Sequence, residues 1–272
     1  MKHASPLRYP GGKTFLASEF ARILDVIGLD KPTYVEPYAG GAGAALTLLF
    51  IEQVQSIVIN DYDKAIYSFW RAATEKSESF AQKIISTPVT VAQWKKQKKI
   101  YLNEHADFFD RGFATFFLNR TNRSGVMNAS PIGGMDQTGN YKINARYNKN
   151  ELAARVRKIG EYKDRIAVLN EDGIELTKRF LKKKDTFIYL DPPYFEKGAM
   201  LYLNHYEQND HEKLAKLLNE NASQNWILTY DAIESIKNLY PKRNSRNLPV
   251  SYRVRTPIKT HELMIFSNTT AV

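Results

Sequence analysis

Short apolar runs alternate with helical patterns along most of this chain. Runs rich in β-branched and aromatic residues predict strands at residues 33–36, 56–60, 165–169, 186–190 and 226–230. Apolar positions recurring every three or four residues predict helices at residues 15–24, 44–54, 150–158, 173–180, 210–221 and 232–239. This alternation is typical of an α/β fold built around a parallel sheet.

Two further strands are predicted near the end of the chain, around residues 252–255 and 263–266. Because no helix fits between them, they are expected to form a hairpin, which places an antiparallel strand in an otherwise parallel sheet. The predicted fold class is therefore α/β, with seven strands and an antiparallel terminal hairpin.

The segment from 62 to 150 interrupts the alternation with a mainly helical pattern, which ends in a polar loop rich in Asn, Arg, Ser and Gly. Its aromatic residues are interpreted as the core of a helical subdomain rather than as base-stacking platforms; they are Trp94, Tyr101, Phe108, Phe109, Phe113, Phe116 and Phe117. The loop is long for a connector, which favours a role in binding. We expect residues 1–65 and 151–272 to form a catalytic domain and 66–150 to form an insertion.

Composition narrows the class of protein. A chain of 272 residues accommodates one large α/β domain with an insertion. No apolar run is long enough to span a bilayer, and the first residues lack the apolar core of a signal peptide, so we expect a soluble intracellular protein. The chain has no cysteine, which excludes disulfides and thiol nucleophiles, and its 5 histidines are too scattered for metal-ligand spacing.

The net charge of +10 is concentrated in two regions. Residues 92–158 contain 13 Lys and Arg against 5 Asp and Glu, and residues 237–259 contain 7 basic and no acidic residues. A single basic run is usually a solvated helix face, but two such regions favour a polyanionic partner such as nucleic acid. The candidate DNA contacts in these regions are Arg120, Asn122, Arg123, Lys142, Arg146, Lys242 and Arg243.

Asp191-Pro192-Pro193-Tyr194 follows the strand predicted at 186–190 directly. In an open α/β sheet, ligands bind at the carboxyl ends of the strands. Two prolines hold the backbone stiffly and leave carbonyl groups free to accept hydrogen bonds. A pair of acceptors beside an aromatic ring suits a planar base that carries an amino group, although a strand-ending turn is the alternative for this motif alone.

A glycine loop, Pro37 to Gly43, lies between the first predicted strand and its helix. Glycines there permit a close approach to a nucleotide, and Asp61, about 20 residues further on, is placed to accept hydrogen bonds from ribose hydroxyls. Residues 9–13 predict another tight loop, which offers the ring of Tyr9 and the cation of Lys13. This second loop is not a triphosphate-binding loop because Leu7 stands where that motif needs a glycine; an ordinary helix-start turn is the alternative.

Together these motifs resemble the Dam-type adenine-specific DNA methyltransferases over nearly the whole chain. The matching segments are RYPGGK at 8–13, EPYAGGAG at 36–43, Asp61, FLNR at 117–120, Asp172, DPPY at 191–194 and a terminal hairpin with Glu262 and Leu263. The resemblance implies a Rossmann-like methyltransferase sheet, S-adenosylmethionine as methyl donor and an inserted DNA-recognition region. It also implies a set of cofactor-binding residues: Tyr9, Lys13, Pro37, Ala39, Gly40, Gly41, Gly43, Asp61, Asp172, Gly173 and Asp191.

The expected reaction is methylation of an adenine amino group after the base is flipped out of double-stranded DNA. The Asp191 carboxylate and the Pro192 carbonyl are expected to accept the two amino hydrogens, with Pro193 stiffening the motif and Tyr194 stacking on the base. Methylation of cytosine or RNA amino groups, and a silent DNA-binding regulator of the same fold, remain alternatives, and a dinucleotide oxidoreductase is disfavoured. We further expect a cytoplasmic, nucleoid-associated monomer or weak dimer, with a restriction enzyme as a possible partner.

Overall fold

The computed structural model describes residues 4–8, 12–194, 206–253 and 257–272, and it excludes the side chains of 250–253 and 257–260. Seven strands form one sheet: β1 Thr33–Glu36, β2 Ser56–Asn60, β3 Ile166–Leu169, β4 Thr186–Leu190, β5 Trp226–Asp231, β6 Ser245–Arg253 and β7 Pro257–Phe266. Their order across the sheet is β3-β2-β1-β4-β5-β7-β6. The predicted seven-stranded sheet is confirmed.

Strand direction follows the prediction as well. The first five strands run parallel, whereas β7 is antiparallel to both β5 and β6. β6 begins at Ser245, well before the predicted position near 252. Most of its described side chains are exposed, since it is an edge strand, and it therefore lacks the apolar alternation that reveals a strand. Pro249 is compatible with this place because an edge strand does not require every N–H group.

The strand order reverses direction between β1 and β4, which are neighbours at the centre of the sheet. The chain passes from β1 outward to β2 on one side, and from β4 outward to β5 on the other. The loops that follow β1 and β4 therefore diverge and leave a crevice at the carboxyl edge, where open α/β sheets bind their ligands. The glycine loop and the Asp191 motif meet at this crevice.

The described helices cover the sheet and build the insertion: α1 Ala17–Val26, α2 Gly43–Phe50, α3 Lys64–Glu75, α4 Ser77–Ser86, α5 Val91–Leu102, α6 Phe108–Thr121, α7 Lys149–Glu161, α8 Gly173–Phe180, α9 Gln208–Glu220 and α10 Glu234–Leu239. Short 3-10 turns occur at Thr14–Leu16, Arg123–Gly125 and Lys163–Arg165. None of the helices in the described ranges is both long and apolar enough to cross a membrane.

Aromatic rings hold the helical region together. The ring of Phe80 lies 5.5 Å from that of Phe113 and 5.6 Å from that of Phe116, and all three are fully buried. The core interpretation of the predicted aromatic cluster is confirmed for Phe113, Phe116 and Phe117. The same apolar cluster continues into residues of the sheet, so the two parts share one core. The division into a catalytic domain and an insertion stays a prediction.

Candidate active site

Asp191 stands at the carboxyl end of β4, and both of its carboxylate oxygens accept hydrogen bonds. Lys13 Nζ donates to Oδ2 at 2.9 Å, and Thr229 Oγ1, on the neighbouring strand β5, donates to Oδ1 at 2.7 Å. The Asp191 side chain is still 24% exposed. Since each carboxylate oxygen has two lone pairs, Asp191 retains acceptor capacity toward the crevice.

Lys13 is a buried cation between two carboxylates. Its ammonium group lies 2.9 Å from Asp191 Oδ2 and 3.2 Å from Glu262 Oε2, and its side chain is only 4% exposed. Burial alone would lower the pKa of Lys13, but the two carboxylates outweigh burial and raise the pKa above its ordinary value. Lys13 therefore keeps its positive charge, which is held beside the Asp191 carboxylate.

The Tyr194 hydroxyl belongs to the same network. It accepts a hydrogen bond from Lys13 Nζ at 3.0 Å and donates one to Glu262 Oε1, and the residue is 6% exposed. The hydroxyl thereby fixes the position of the ring at the carboxyl edge. Stacking of this ring on a substrate base stays a prediction. Pro192 is buried and Pro193 is half-buried between the two polar residues of the motif.

Sequence reasoning did not assign Thr229 or Glu262 to the site. Glu262 entered only as part of a matching segment, and Thr229 did not enter at all. Thr229 lies near the carboxyl end of β5, the strand next to β4. The sequence could have indicated this residue, because the carboxyl ends of neighbouring parallel strands lie at the same edge of a sheet. Glu262 pairs in register with Asp231 at the end of β5, a position that depends on the register of the terminal hairpin.

The glycine loop is held from three sides. Gly40 N donates to Asp61 Oδ2 at 3.0 Å, and Gly40 O accepts from Trp70 Nε1 at 2.8 Å. Ala39 N donates to the backbone oxygen of Asn60, whose side-chain amide donates to Pro37 O. Gly40 and Ala42 have positive φ angles of 46° and 44°, which create the sharp turn. The loop backbone is therefore fixed before any ligand binds.

Close packing joins this loop to the N-terminal segment. A Cβ added at Gly43 would lie 2.1 Å from Thr14 Oγ1, next to Lys13. Gly41 is buried within the turn, like the neighbouring Gly40. The predicted cofactor residue Tyr9 lies outside the described residues. The structure thus brings the segment around Lys13, the glycine loop and Asp191 together.

Asp61 supports the loop and is itself perturbed. Its Oδ2 accepts from Gly40 N, and its Oδ1 accepts from Asp63 N at 2.9 Å. Burial, with a smaller effect from the nearby Asp63 charge, raises the pKa of Asp61 to about 7. Asp61 lies at the end of β2 beside the glycine loop, where the sequence placed it, and its contact with ribose stays a prediction.

Asp172 occupies the N-cap of α8. Its Oδ1 accepts hydrogen bonds from Ile174 N at 2.9 Å and from Glu175 N at 3.0 Å, which satisfies two free N–H groups of the helix start. A Cβ at Gly173 would lie 2.3 Å from the ring of Tyr38, so the residue must be glycine for Tyr38 to pack there. Both predicted positions therefore have clear structural roles at the carboxyl edge, and their cofactor contacts stay predictions.

The Arg120 side chain contacts the backbone of Arg146. Arg120 Nε donates to Arg146 O at 2.9 Å, and burial together with the charges of Arg8 and Arg155 lowers the pKa of Arg120 to about 10. Like charges held this close are stabilised when an anion binds between them. This group of arginines is the strongest candidate phosphate contact among the described residues.

Other predicted DNA contacts differ in exposure. Arg123 is exposed, and Lys142 Nζ donates to loop carbonyls at Gln137 and Gly139. Lys242 is exposed and Arg243 donates to Asn268 Oδ1, which places both beside the terminal hairpin.

Asn122 differs from this group because it is fully buried. Its amide donates to Val126 O and Met127 O, and its Oδ1 accepts from Trp94 Nε1 at 2.6 Å. This geometry assigns Asn122 to organising the loop, and it does not support a direct DNA contact.

Comparison with known proteins agrees with this geometry. The family model for D12 class N6 adenine-specific DNA methyltransferases matches residues 9–255. The Type II methyltransferase M.CviBI of Paramecium bursaria Chlorella virus NC1A is 25% identical over 249 residues, which cover 86% of this chain and 85% of that protein. The matched residues include Lys13, the glycine loop, Asp61, Asp172 and Asp191–Tyr194, whereas Glu262 lies beyond them.

Proposed function

The chain belongs to the D12 class N6 adenine-specific DNA methyltransferases, and we propose that it transfers a methyl group from S-adenosylmethionine to a flipped adenine held at Asp191–Tyr194. The observation that carries this proposal is the pairing of one buried ammonium with two carboxylates at the central crevice. The two carboxylates suit a sulfonium cation, and the adjacent fixed glycine loop suits its nucleoside.

S-adenosylmethionine supplies, when bound, a methyl group activated by its positively charged sulfur. The residues that would hold it are the loop from Pro37 to Gly43, Asp61, and the turn of Asp172 and Gly173, with Tyr9 from the N-terminal segment. Gly40 and Asp61 support this assignment because they already form one hydrogen-bonded unit at the carboxyl edge. A fixed loop loses little conformational freedom when a ligand binds.

Asp191 and Pro192 would receive the amino group of adenine. The amino lone pair is delocalised into the ring, so two acceptors on the amino hydrogens are needed to draw the nitrogen toward tetrahedral geometry. Asp191 retains lone pairs and partial exposure for one hydrogen, and the Pro192 carbonyl would accept the other. Asp191, which would accept one amino hydrogen, would also take up the proton that the amino nitrogen gives up on methylation.

The chain's basic residues would hold the DNA around this site. Flipping the adenine out of the duplex costs a few kcal/mol, which phosphate contacts and the pocket offset. We assign phosphate contacts to Arg120 and Arg146, and further contacts to Arg123, Lys142, Lys242 and Arg243. Because its substrate would be DNA, we propose that the protein is associated with the nucleoid.

The family match favours adenine in DNA over the cytosine, RNA, regulator and oxidoreductase alternatives raised by the sequence. The relative's designation as a Type II methyltransferase further supports a target sequence shared with a restriction enzyme.

The test is protection of DNA. Incubation with the protein and S-adenosylmethionine should make DNA resistant to one or a few restriction enzymes that have an adenine in their site. Protection should require the methyl donor and should map to a single short sequence. Unchanged cleavage by a broad panel of enzymes, with no methyl group in the DNA, would reject the proposed function.

A further inference from the structure

Asn119 lies in the last turn of α6, next to the candidate phosphate contact Arg120. Unlike Arg120, it is only 2% exposed, so a direct contact with DNA does not explain it. A buried amide needs partners for its oxygen and for both of its amide hydrogens, because an unsatisfied polar group inside the protein is costly. The partners of Asn119 therefore indicate what the residue does.

The Asn119 amide joins three segments of the chain. Its Oδ1 accepts a hydrogen bond from Arg8 N at 2.7 Å, and its Nδ2 donates to Arg8 O at 2.8 Å. Nδ2 also donates to Gly125 O at 3.1 Å, in the loop of residues 122–148 that follows α6. The side chain thus holds the N-terminal segment and this loop together at the end of α6.

Close packing supports this junction of Arg8, Asn119 and Gly125. Gly125 has a φ angle of 77°, and a Cβ added there would lie 2.6 Å from Arg8 O, so a glycine is needed for the two backbones to approach. Arg8 Nη1 adds a hydrogen bond to Asn122 O at 3.3 Å. The N-terminal segment is anchored a second time where Arg155 Nη1 donates to Ser5 O at 3.0 Å.

The same N-terminal segment reaches the reaction site. Lys13, five positions after Arg8, lies 2.9 Å from Asp191 Oδ2, and the next residue, Thr14, packs against Gly43 of the glycine loop. Five residues of fully extended chain span at most about 18 Å, so the tether between the two anchors is short. On the other side of the junction, the proposed DNA contact Arg123 lies in the loop just before Gly125.

We propose that Asn119 is a positioning residue that sets the place of the reaction site relative to the bound DNA, and thereby makes methyl transfer depend on the correct target sequence. This inference rests on the proposed function. A displacement of about 1 Å between reacting groups is enough to slow a reaction about a hundredfold, even when its cause lies away from the chemistry. DNA that seats the loop correctly therefore also fixes Lys13 and Asp191 at the flipped base, whereas a wrong site gains nothing from the junction.

The experiment measures single-turnover methylation with protein and S-adenosylmethionine in saturating excess over DNA. One duplex carries the target site found by DNA protection, and a second differs from it at one base pair. In Asn119→Ala the rate constant on the target should fall about a hundredfold. The rate constant on the altered duplex should fall less, so that the ratio of the two declines about tenfold. Thr115→Val is the matched control, since Thr115 is buried in the same helix and donates to Arg111 O within it.

Calorimetry should show that Asn119→Ala binds S-adenosylhomocysteine and the target duplex, each measured alone, within about threefold of wild type. A smaller folded fraction would not change a rate constant measured with saturating protein, so the rate ratio separates positioning from a loss of stability. An unchanged ratio would overturn the inference, and so would weaker binding of S-adenosylhomocysteine without DNA, because Asn119 would then act on the cofactor site alone.

Gly125→Ala disturbs the junction from the loop side and takes the place of Asn119→Ala if the latter does not fold. It should lower the same ratio, and an unchanged ratio there would equally overturn the inference. Wild-type protein separates the two levels of the argument. If wild type methylates DNA and the variants keep its ratio, only the role of Asn119 fails; if wild type transfers no methyl group to DNA, the proposed function fails with it.

Discussion

Replacing Glu36 by Gln should make the protein more stable at neutral and alkaline pH. Glu36 is buried at the end of β1, where Oε1 accepts hydrogen bonds from the Tyr34 hydroxyl at 3.0 Å and from Ala45 N at 3.1 Å. Ala45 lies in the first turn of α2, directly after the glycine loop, so the Glu36 carboxyl group fixes the helix start that follows this loop. A Gln side chain has the same size and can accept the same two hydrogen bonds.

The magnitude follows from the pKa of Glu36, which burial raises from 4.5 to about 8. An acid with a raised pKa in the folded state keeps its full contribution to stability below pH 4.5. That contribution is lost as the pH rises, and the loss is complete above about pH 8. At about 1.4 kcal/mol for each unit of pKa shift, the largest gain in the free energy of unfolding is about 5 kcal/mol. Local relaxation around the ionised Glu36 reduces this gain, and we expect about 2–3 kcal/mol.

The assay is urea unfolding of wild type and Glu36→Gln between pH 5 and 9. The free energies of unfolding should be close at the acidic end, and the variant should gain steadily until the difference levels off above about pH 8. Asp61, whose raised pKa acts in the same direction, is present in both proteins and cancels in the difference. A difference that is independent of pH, or one that favours wild type as the pH rises, would refute the reasoning.

Three further outcomes follow from the contacts described. Gly112→Ala should lower the free energy of unfolding by about 2–3 kcal/mol in urea titrations, because its Cβ would lie 2.4 Å from Ser68 O where α6 crosses α3; an unchanged midpoint would contradict that packing. Asp61→Ala should weaken S-adenosylmethionine binding about tenfold or more in calorimetry, and unchanged affinity would remove the ribose contact. Arg120→Gln should reduce the slope of log affinity against log salt by about one phosphate contact; an unchanged slope would place the DNA elsewhere.

The sheet was largely predictable because its strands are short apolar runs between turn residues. β1, β2 and β4 begin and end where the sequence predicted, and so does α8, which starts after the capping residue Asp172. Each of these elements is defined by local signals. The start of β6 was missed because an exposed edge strand is held by its backbone partner and shows no apolar alternation.

The motifs of the site were predictable, but the contacts between them were not. Lys13 and Asp191 are 178 positions apart, and Tyr194 and Glu262 are 68 apart, so only the folded sheet brings them together. The sequence accordingly named Lys13 as a cofactor residue and gave no sign of its ion pairs. Asn122 was predicted as a DNA contact because a polar residue in a basic loop is typical of one, and the local sequence gave no sign that its side chain donates hydrogen bonds inside the loop.

The most direct test of the central claim is to identify the methylated nucleoside that wild type and Asp191→Ala produce. DNA is incubated with isotope-labelled S-adenosylmethionine, digested to nucleosides and analysed by mass spectrometry, with Asp30→Ala as a surface control. Wild type and the control should place the label on the amino nitrogen of adenine, whereas Asp191→Ala should fold and bind DNA but transfer no label. Label on cytosine, or substantial transfer by Asp191→Ala, would contradict the account.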